Sequence, residues 1–140
     1  MIRVVIDTNV VVSALLHASS VPEAVVNLAV SGSVQWVASK PILAEYATVL
    51  SRPRLAIDSA RAADAMMRIR MAVSLVVPTV AVDAASDPDD NVFLECADAG
   101  DADYLVTGNT RHFPEVWRKT RVVTPREFID AWTAGQDDVP

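Results

Sequence analysis

The chain has 140 residues, so it is expected to form one domain, 1–140. Apolar residues make up 51% and the formal net charge is −6, which excludes a disordered or collagen-like chain. No apolar run approaches the roughly 18–20 residues of a bilayer span, a carboxylate at position 7 comes too early for a signal peptide, and a lone Cys96 excludes a disulfide framework. A cytoplasmic location and no membrane partner are therefore expected.

Ile2–Ile6 is a short, almost uniformly apolar run, the pattern of a strand buried on both faces of a parallel sheet. Asp7-Thr8-Asn9 follows, with a helix expected from Val10 to Leu16. Ser20-Val21-Pro22-Glu23 is a capping box that opens a second helix, closed by Gly32. Val34–Ala38 reads as a strand. Ser39 and Pro41 start a helix that runs to about Ser51, before Pro53. Ile57–Val73 reads as an amphipathic helix and Val76–Val82 as an extended segment interrupted by Pro78. Asp87-Pro88-Asp89-Asp90 has the residues of a helix start, and that helix ends at Gly100. Tyr104–Thr107 and Val122-Val123 read as strands, and Thr124-Pro125-Arg126-Glu127 caps a last helix. Strands that alternate with helices imply an α/β fold with a central, mostly parallel sheet and helices on both faces. Ligands of such sheets bind beyond the carboxyl ends of the strands.

Several carboxylates stand where that crevice should be. Asp7 ends the first strand, and an unpaired charge next to a buried strand is costly. Glu45 shares a helix face with Ile42, Tyr46 and Val49. Asp90 precedes Phe93 by three residues and so turns inward at a helix start, where an acid also suits the helix dipole. Asp87 and Asp89 read as N-cap and first-turn residues. Asn109 follows the strand at Tyr104–Thr107 and could cap, turn or supply a neutral oxygen. Thr8 and Ser13 are candidate hydroxyl donors. Carboxylates gathered from three segments need a shared proton, an arginine or a bound cation. An all-oxygen site selects Mg²⁺ or Mn²⁺, which support phosphodiester hydrolysis.

These residues resemble a known family. VVIDTN at 4–9 with Ser13, ILAEYATVL at 42–50, SDPDDNVFLECA at 86–97 and ADYLVTGN at 102–109 followed by Arg111-His112-Phe113-Pro114 are similar, in order and spacing, to the four motifs of PIN-domain nucleases. The nearest flavour is the bacterial group of toxin components, the VapC-like toxins. The resemblance implies a three-layer α/β/α sandwich and a Mg²⁺- or Mn²⁺-dependent endoribonuclease. It also implies a homodimer and a cognate antitoxin protein as partner. On that reading Asp7, Glu45 and Asp90 hold the metal, with Asp87 as a further candidate, and Asn109 completes the site. Thr8, Asn9 and Ser13 fix the Asp7 carboxylate. Many PIN nucleases carry Asp at the place of Asn109. A neutral amide weakens a second cation, so one-metal and two-metal sites both stay open. So does a catalytically weak PIN-like scaffold that binds RNA or a protein.

The net charge alone argues against nucleic acid, but its distribution does not. Residues 71–110 contain no Lys or Arg and sum to −8, whereas 51–70 sum to +3 and 111–126 to +4. The flanking cations, Arg52, Arg54, Arg61, Arg68 and Arg70 on one side and Arg111, Arg118, Lys119 and Arg121 on the other, are candidates for RNA phosphate contacts. His112 could touch a phosphate or pack in a loop. Trp36, Tyr46, Trp117, Trp132 and the methionines Met66, Met67 and Met71 read as core or dimer packing. No glycine-rich phosphate loop is present among four glycines, which removes nucleotide-binding P-loop and Rossmann readings.

Overall fold

The structure is a computed structural model and describes residues 1–137. Six strands form one sheet: β1 Arg3–Ile6, β2 Gln35–Ala38, β3 Ser74–Leu75, β4 Tyr104–Val106, β5 Val116–Trp117 and β6 Thr120–Val123. Their order is β3-β2-β1-β4-β6-β5, and every pairing is parallel except β5 with β6. Six helices complete the α/β/α arrangement: α1 Thr8–Leu16, α2 Val21–Val30, α3 Lys40–Leu50, α4 Ser59–Ala72, α5 Asn91–Ala99 and α6 Pro125–Asp137.

The central strands carry the core. Val4, Val5, Ile6, Val37, Ala38, Leu105 and Val106 are fully buried, as a strand covered on both faces requires. Trp36, Tyr46, Phe93 and Phe128 fill the space between sheet and helices. α2 packs against both α1 and α6, while α5 lies across β1, β2 and β4. Gly100, at the end of α5, is needed for that approach, because a Cβ there would stand 2.3 Å from Val37 Cγ1.

The chain moves outward from β1 to β2 and β3, then returns and continues through β4 to β6. The direction reverses between β1 and β4. At such a switch point the segments leaving two neighbouring strands diverge and leave a crevice at their carboxyl ends. Asp7 follows β1 there, and its N–H donates to Val106 O of β4 at 2.9 Å.

Most expected elements are present, with four differences. α1 begins at Thr8 rather than Val10. α4 begins at Ser59, after Asp58, rather than at Ile57. The extended segment Val76–Val82 forms no strand of its own: register with β2 stops at Leu75, and the last bond to β2 runs from Val76 N to Ala38 O at 2.9 Å. Beyond it, the N–H groups of Val82, Ala84, Ala85 and Ser86 are taken by side chains and a loop instead of a ladder. Glu95 accepts from Val82 N, the Asn91 carboxamide oxygen accepts from both Ala84 and Ala85, and His112 O accepts from Ser86. Finally, β6 is longer than Val122-Val123 and forms an antiparallel hairpin with β5, turning at Arg118 with φ +53°. A hairpin turn is usually announced by Gly or Asn, and neither is present at this one. Among the described residues no helix is long and apolar enough to cross a membrane; the apolar pair α1 and α2 is bent by 107°.

Candidate active site

Three segments deliver the acids. Asp7 leaves β1 at the switch point and is 7% exposed. It occupies the N-cap position of α1, yet its side chain makes no capping bond. The carboxylate is instead held by Thr107, the residue after β4, whose hydroxyl donates to Asp7 Oδ2 at 2.7 Å. Asn9 Nδ2 approaches the same oxygen at 3.4 Å, and Asn9 Oδ1 accepts from Gly108 N at 3.0 Å. Asn9 thus ties the segment after β1 to the segment after β4.

Glu45 is half-buried on α3, beside the buried Ile42 and Tyr46. It accepts a hydrogen bond from the Thr8 hydroxyl. Tyr46, the next residue, donates to Ile6 O, so α3 is pinned to the end of β1 immediately before Asp7. Asp90 is half-buried, at the N-cap of α5, and makes no side-chain cap there either. Capping falls to Asp87, which accepts from Asp89 N at 3.0 Å and opens a 3-10 turn over Pro88–Asp90. Asp87 and Asp89 are exposed. The helix-start pattern in the sequence therefore splits into two jobs: Asp87 closes the turn and Asp90 is free to face the crevice.

The three acids repel one another. Burial pushes the Asp7 carboxyl up to about 6, and the Thr107 hydrogen bond opposes this. Asp90 and Glu45 push it further in the same direction. Burial also raises Asp90, helped by Asp87, Glu45 and Asp89 and opposed by His112. His112 Nδ1 stands 3.5 Å from Asp90 Oδ2. Among the described residues no Lys or Arg pairs with Asp7, Glu45 or Asp90. A proton or an external cation must then offset their mutual repulsion.

The donor set is all oxygen, which suits a hard divalent ion. Among the described residues no three His, Cys, Asp or Glu side chains are close enough to hold an ion by themselves. That combination fits Mg²⁺, which keeps several waters and takes only one or two carboxylates directly. It does not fit a preformed protein cage.

The remaining expected site residues separate. Thr8 and Asn9 belong to the site: the Thr8 hydroxyl donates to Glu45, the Thr8 backbone N–H stabilises the Asp7 carboxylate, and Asn9 approaches Asp7 with its amide. Ser13 is half-buried on α1 and no hydrogen bond joins it to Asp7, so its expected part in fixing that carboxylate is not seen. Asn109 is exposed and acts through its backbone: its N–H donates to Thr107 Oγ1 at 3.0 Å, and its carbonyl accepts from His112 N. Arg52, Arg54, Arg111 and His112 are exposed. Thr107 was not singled out by sequence. Its only signal there is position: it ends a buried strand beside β1, as Asp7 does.

A comparison with curated proteins gives no match. The family profile described as PIN domain matches residues 3–111, from β1 through the turn that carries His112's neighbour Arg111. That span is well over half of the chain and contains Asp7, Glu45, Asp90, Thr107 and Asn109. The chain belongs to the PIN domain family, whose members are generally nucleases.

Proposed function

We propose that this chain is a divalent-cation-dependent endoribonuclease and the toxin component of a type II toxin–antitoxin pair. The observation that carries the reading is the group of three acids, Asp7, Glu45 and Asp90, which repel one another at the switch point of a parallel sheet and, among the described residues, have no Arg or Lys partner. Those three residues would hold Mg²⁺ or Mn²⁺, directly or through water. A bound cation would lower the pKa of water and neutralise charge on a phosphodiester oxygen. Thr107 and Asn9 orient Asp7, Thr8 orients Glu45, and Tyr46 fixes the end of β1 against α3. His112 flanks Asp90 on the solvent side.

The toxin role rests on the likeness of the four sequence motifs to that bacterial group. It brings with it an antitoxin partner, and a homodimer to which the exposed Met67, Met71, Leu75 and Val77 would contribute apolar surface. The test is Mn²⁺-dependent cleavage of a panel of structured RNAs by the wild type and by Asp7→Asn. Cleavage confined to the wild type is expected, together with growth arrest on expression of the wild type alone. Equal cleavage by both proteins would defeat the assignment.

A second reading has two observations in its favour. Among the described residues no three acids form a ready-made cage, and Asn109 is neutral, as a PIN-like scaffold that binds RNA or protein without cutting would have it. Failure to bind Mg²⁺ or Mn²⁺ at millimolar concentration would favour the scaffold.

A further inference from the structure

The flanking cations are not equivalent in the fold. Arg118 is paired with Asp98 at 2.7 Å and lies over the Trp117 ring, and Lys119 stands 3.6 Å from Asp103. Both occupy the turn that leads into β6, at the amino edge of the sheet, away from Asp7. Arg68 is paired with Asp64, and Arg61 donates to Leu15 O. Arg111 and Arg121 have no such partner among the described residues, and both line one cavity of about 390 Å³. That volume is within the roughly 300–1,000 Å³ of small-ligand sites.

The cavity adjoins the acid site through the chain itself. The 3-10 turn Thr110–His112 lies between them: Arg111 lines the cavity and His112, the next residue, faces Asp90. On the other side Val123 lines the cavity and accepts from Thr107 N, and Thr107 holds Asp7. Phe113 and Val122 give it an apolar floor. Glu115 and Glu127 also line it, so its charge balance is neutral. Glu127 is engaged elsewhere, accepting from Thr124 N at 2.9 Å in the cap of α6. Another cavity is lined by Arg61 and Arg68, but those are engaged by Leu15 O and Asp64; here the two guanidinium groups have no salt-bridge partner among the described residues, and their planar forks match a phosphate.

We propose that this cavity is the subsite for a backbone phosphate of the RNA strand next to the bond to be cut, held by Arg111 and Arg121. The proposal rests on the nuclease reading and deepens it. It places the RNA on the β6 side of the acid centre and assigns no contact to Arg118 or Lys119.

The test is fluorescence anisotropy of a labelled single-stranded RNA oligonucleotide against the full chain without divalent ions, over a range of salt, with cleavage in Mn²⁺ measured in parallel. Arg111→Gln and Arg121→Gln should each weaken binding about fivefold and reduce the salt slope by about 0.7, one phosphate contact of a single strand. Arg118→Gln and Lys119→Gln should leave the slope unchanged. Melting temperatures control for folding, and exposed Arg-to-Gln changes should not move them. Binding and slope that are indifferent to Arg111 and Arg121, or equally sensitive to Arg118 and Lys119, overturn the subsite. Wild-type cleavage combined with that indifference removes the subsite alone. Absent cleavage with Arg111- and Arg121-dependent binding removes the nuclease reading and upholds only Arg111 and Arg121 as contacts to an RNA phosphate.

Discussion

The two edges of the sheet treat the same residue type in opposite ways. At the amino edge the acids Asp98 and Asp103 are paired with cations. Asp103 accepts from Arg3 N at 2.8 Å and faces Lys119, and Asp98 pairs with Arg118. Arg3 itself is satisfied by Gly100 O and Gln35. At the carboxyl edge Asp7, Glu45 and Asp90 have hydroxyl, amide and imidazole neighbours but, among the described residues, no Lys or Arg partner. Pairing at one edge makes acids part of the scaffold. Withholding it at the other leaves an electrostatic demand that a cation can meet. In a chain of net charge −6, the location of the unpaired acids is more informative than their number.

The strongest way to break this contrast is to remove one acid from each edge. Asp7→Asn should reduce RNA cleavage at least about a hundredfold while keeping the fold. Asp103→Ala should leave cleavage unchanged and lower stability by about 1 kcal/mol or less, from a lost backbone acceptor on a partly exposed residue. Kinetics and chemical denaturation on the two variants would expose any other distribution of effects.

A smaller effect is expected from the hydroxyl that orients Asp7. Thr107 has one O–H, and it points to Asp7 because the Asn109 N–H already occupies the oxygen as a donor. Thr107→Val keeps the shape and removes the bond. It should cost about tenfold to a hundredfold in activity or metal affinity, whereas Asn109→Ala, which keeps the backbone donor, should cost severalfold at most. Comparable losses in the two variants would show that the Asn109 side chain takes part directly.

The acid centre should also leave a signature in stability. The Asp7 pKa is raised in the fold, from 3.8 to about 6, so the folded state binds its proton more tightly than the unfolded state does. Stability of the metal-free protein therefore falls as pH rises from about 4 to about 6, and the penalty is in full force above 6. It amounts to roughly 2–3 kcal/mol. Asp7→Asn should be more stable than the wild type at pH 8 without metal, and the advantage should shrink to nothing near pH 4. A wild type at least as stable as Asp7→Asn at pH 8 would contradict the burial of an unpaired carboxylate.

Much of this was legible in the sequence because it depends on local pattern. The apolar run before Asp7, the Ile42/Tyr46/Val49 face that carries Glu45 and the inward spacing of Asp90 each predict an acid aimed at the crevice. What the sequence did not disclose depends on long-range partners. Thr107 matters because β4 lies beside β1, a hundred positions away in the chain. Asp90 is free of the cap because Asp87 takes it, and both fit the same helix-start pattern. The segment after Leu75 reads as extended from its valines, which leaves open whether it pairs. The N–H groups of Val82, Ala84 and Ala85 go instead to Glu95 and Asn91 on α5, and Pro78 offers none. The β5–β6 hairpin was hidden because Arg118 adopts a left-handed conformation that its residue type does not advertise.

The central claim, that the unpaired acids form a cation site, is tested most directly by calorimetric titration of Mn²⁺ into the wild type, Asp7→Asn and Asp103→Ala at one pH above 6. Saturable binding to the wild type and to Asp103→Ala is expected, weakened at least about tenfold in Asp7→Asn. No binding to the wild type at millimolar Mn²⁺, or equal binding to the wild type and Asp7→Asn, would contradict it.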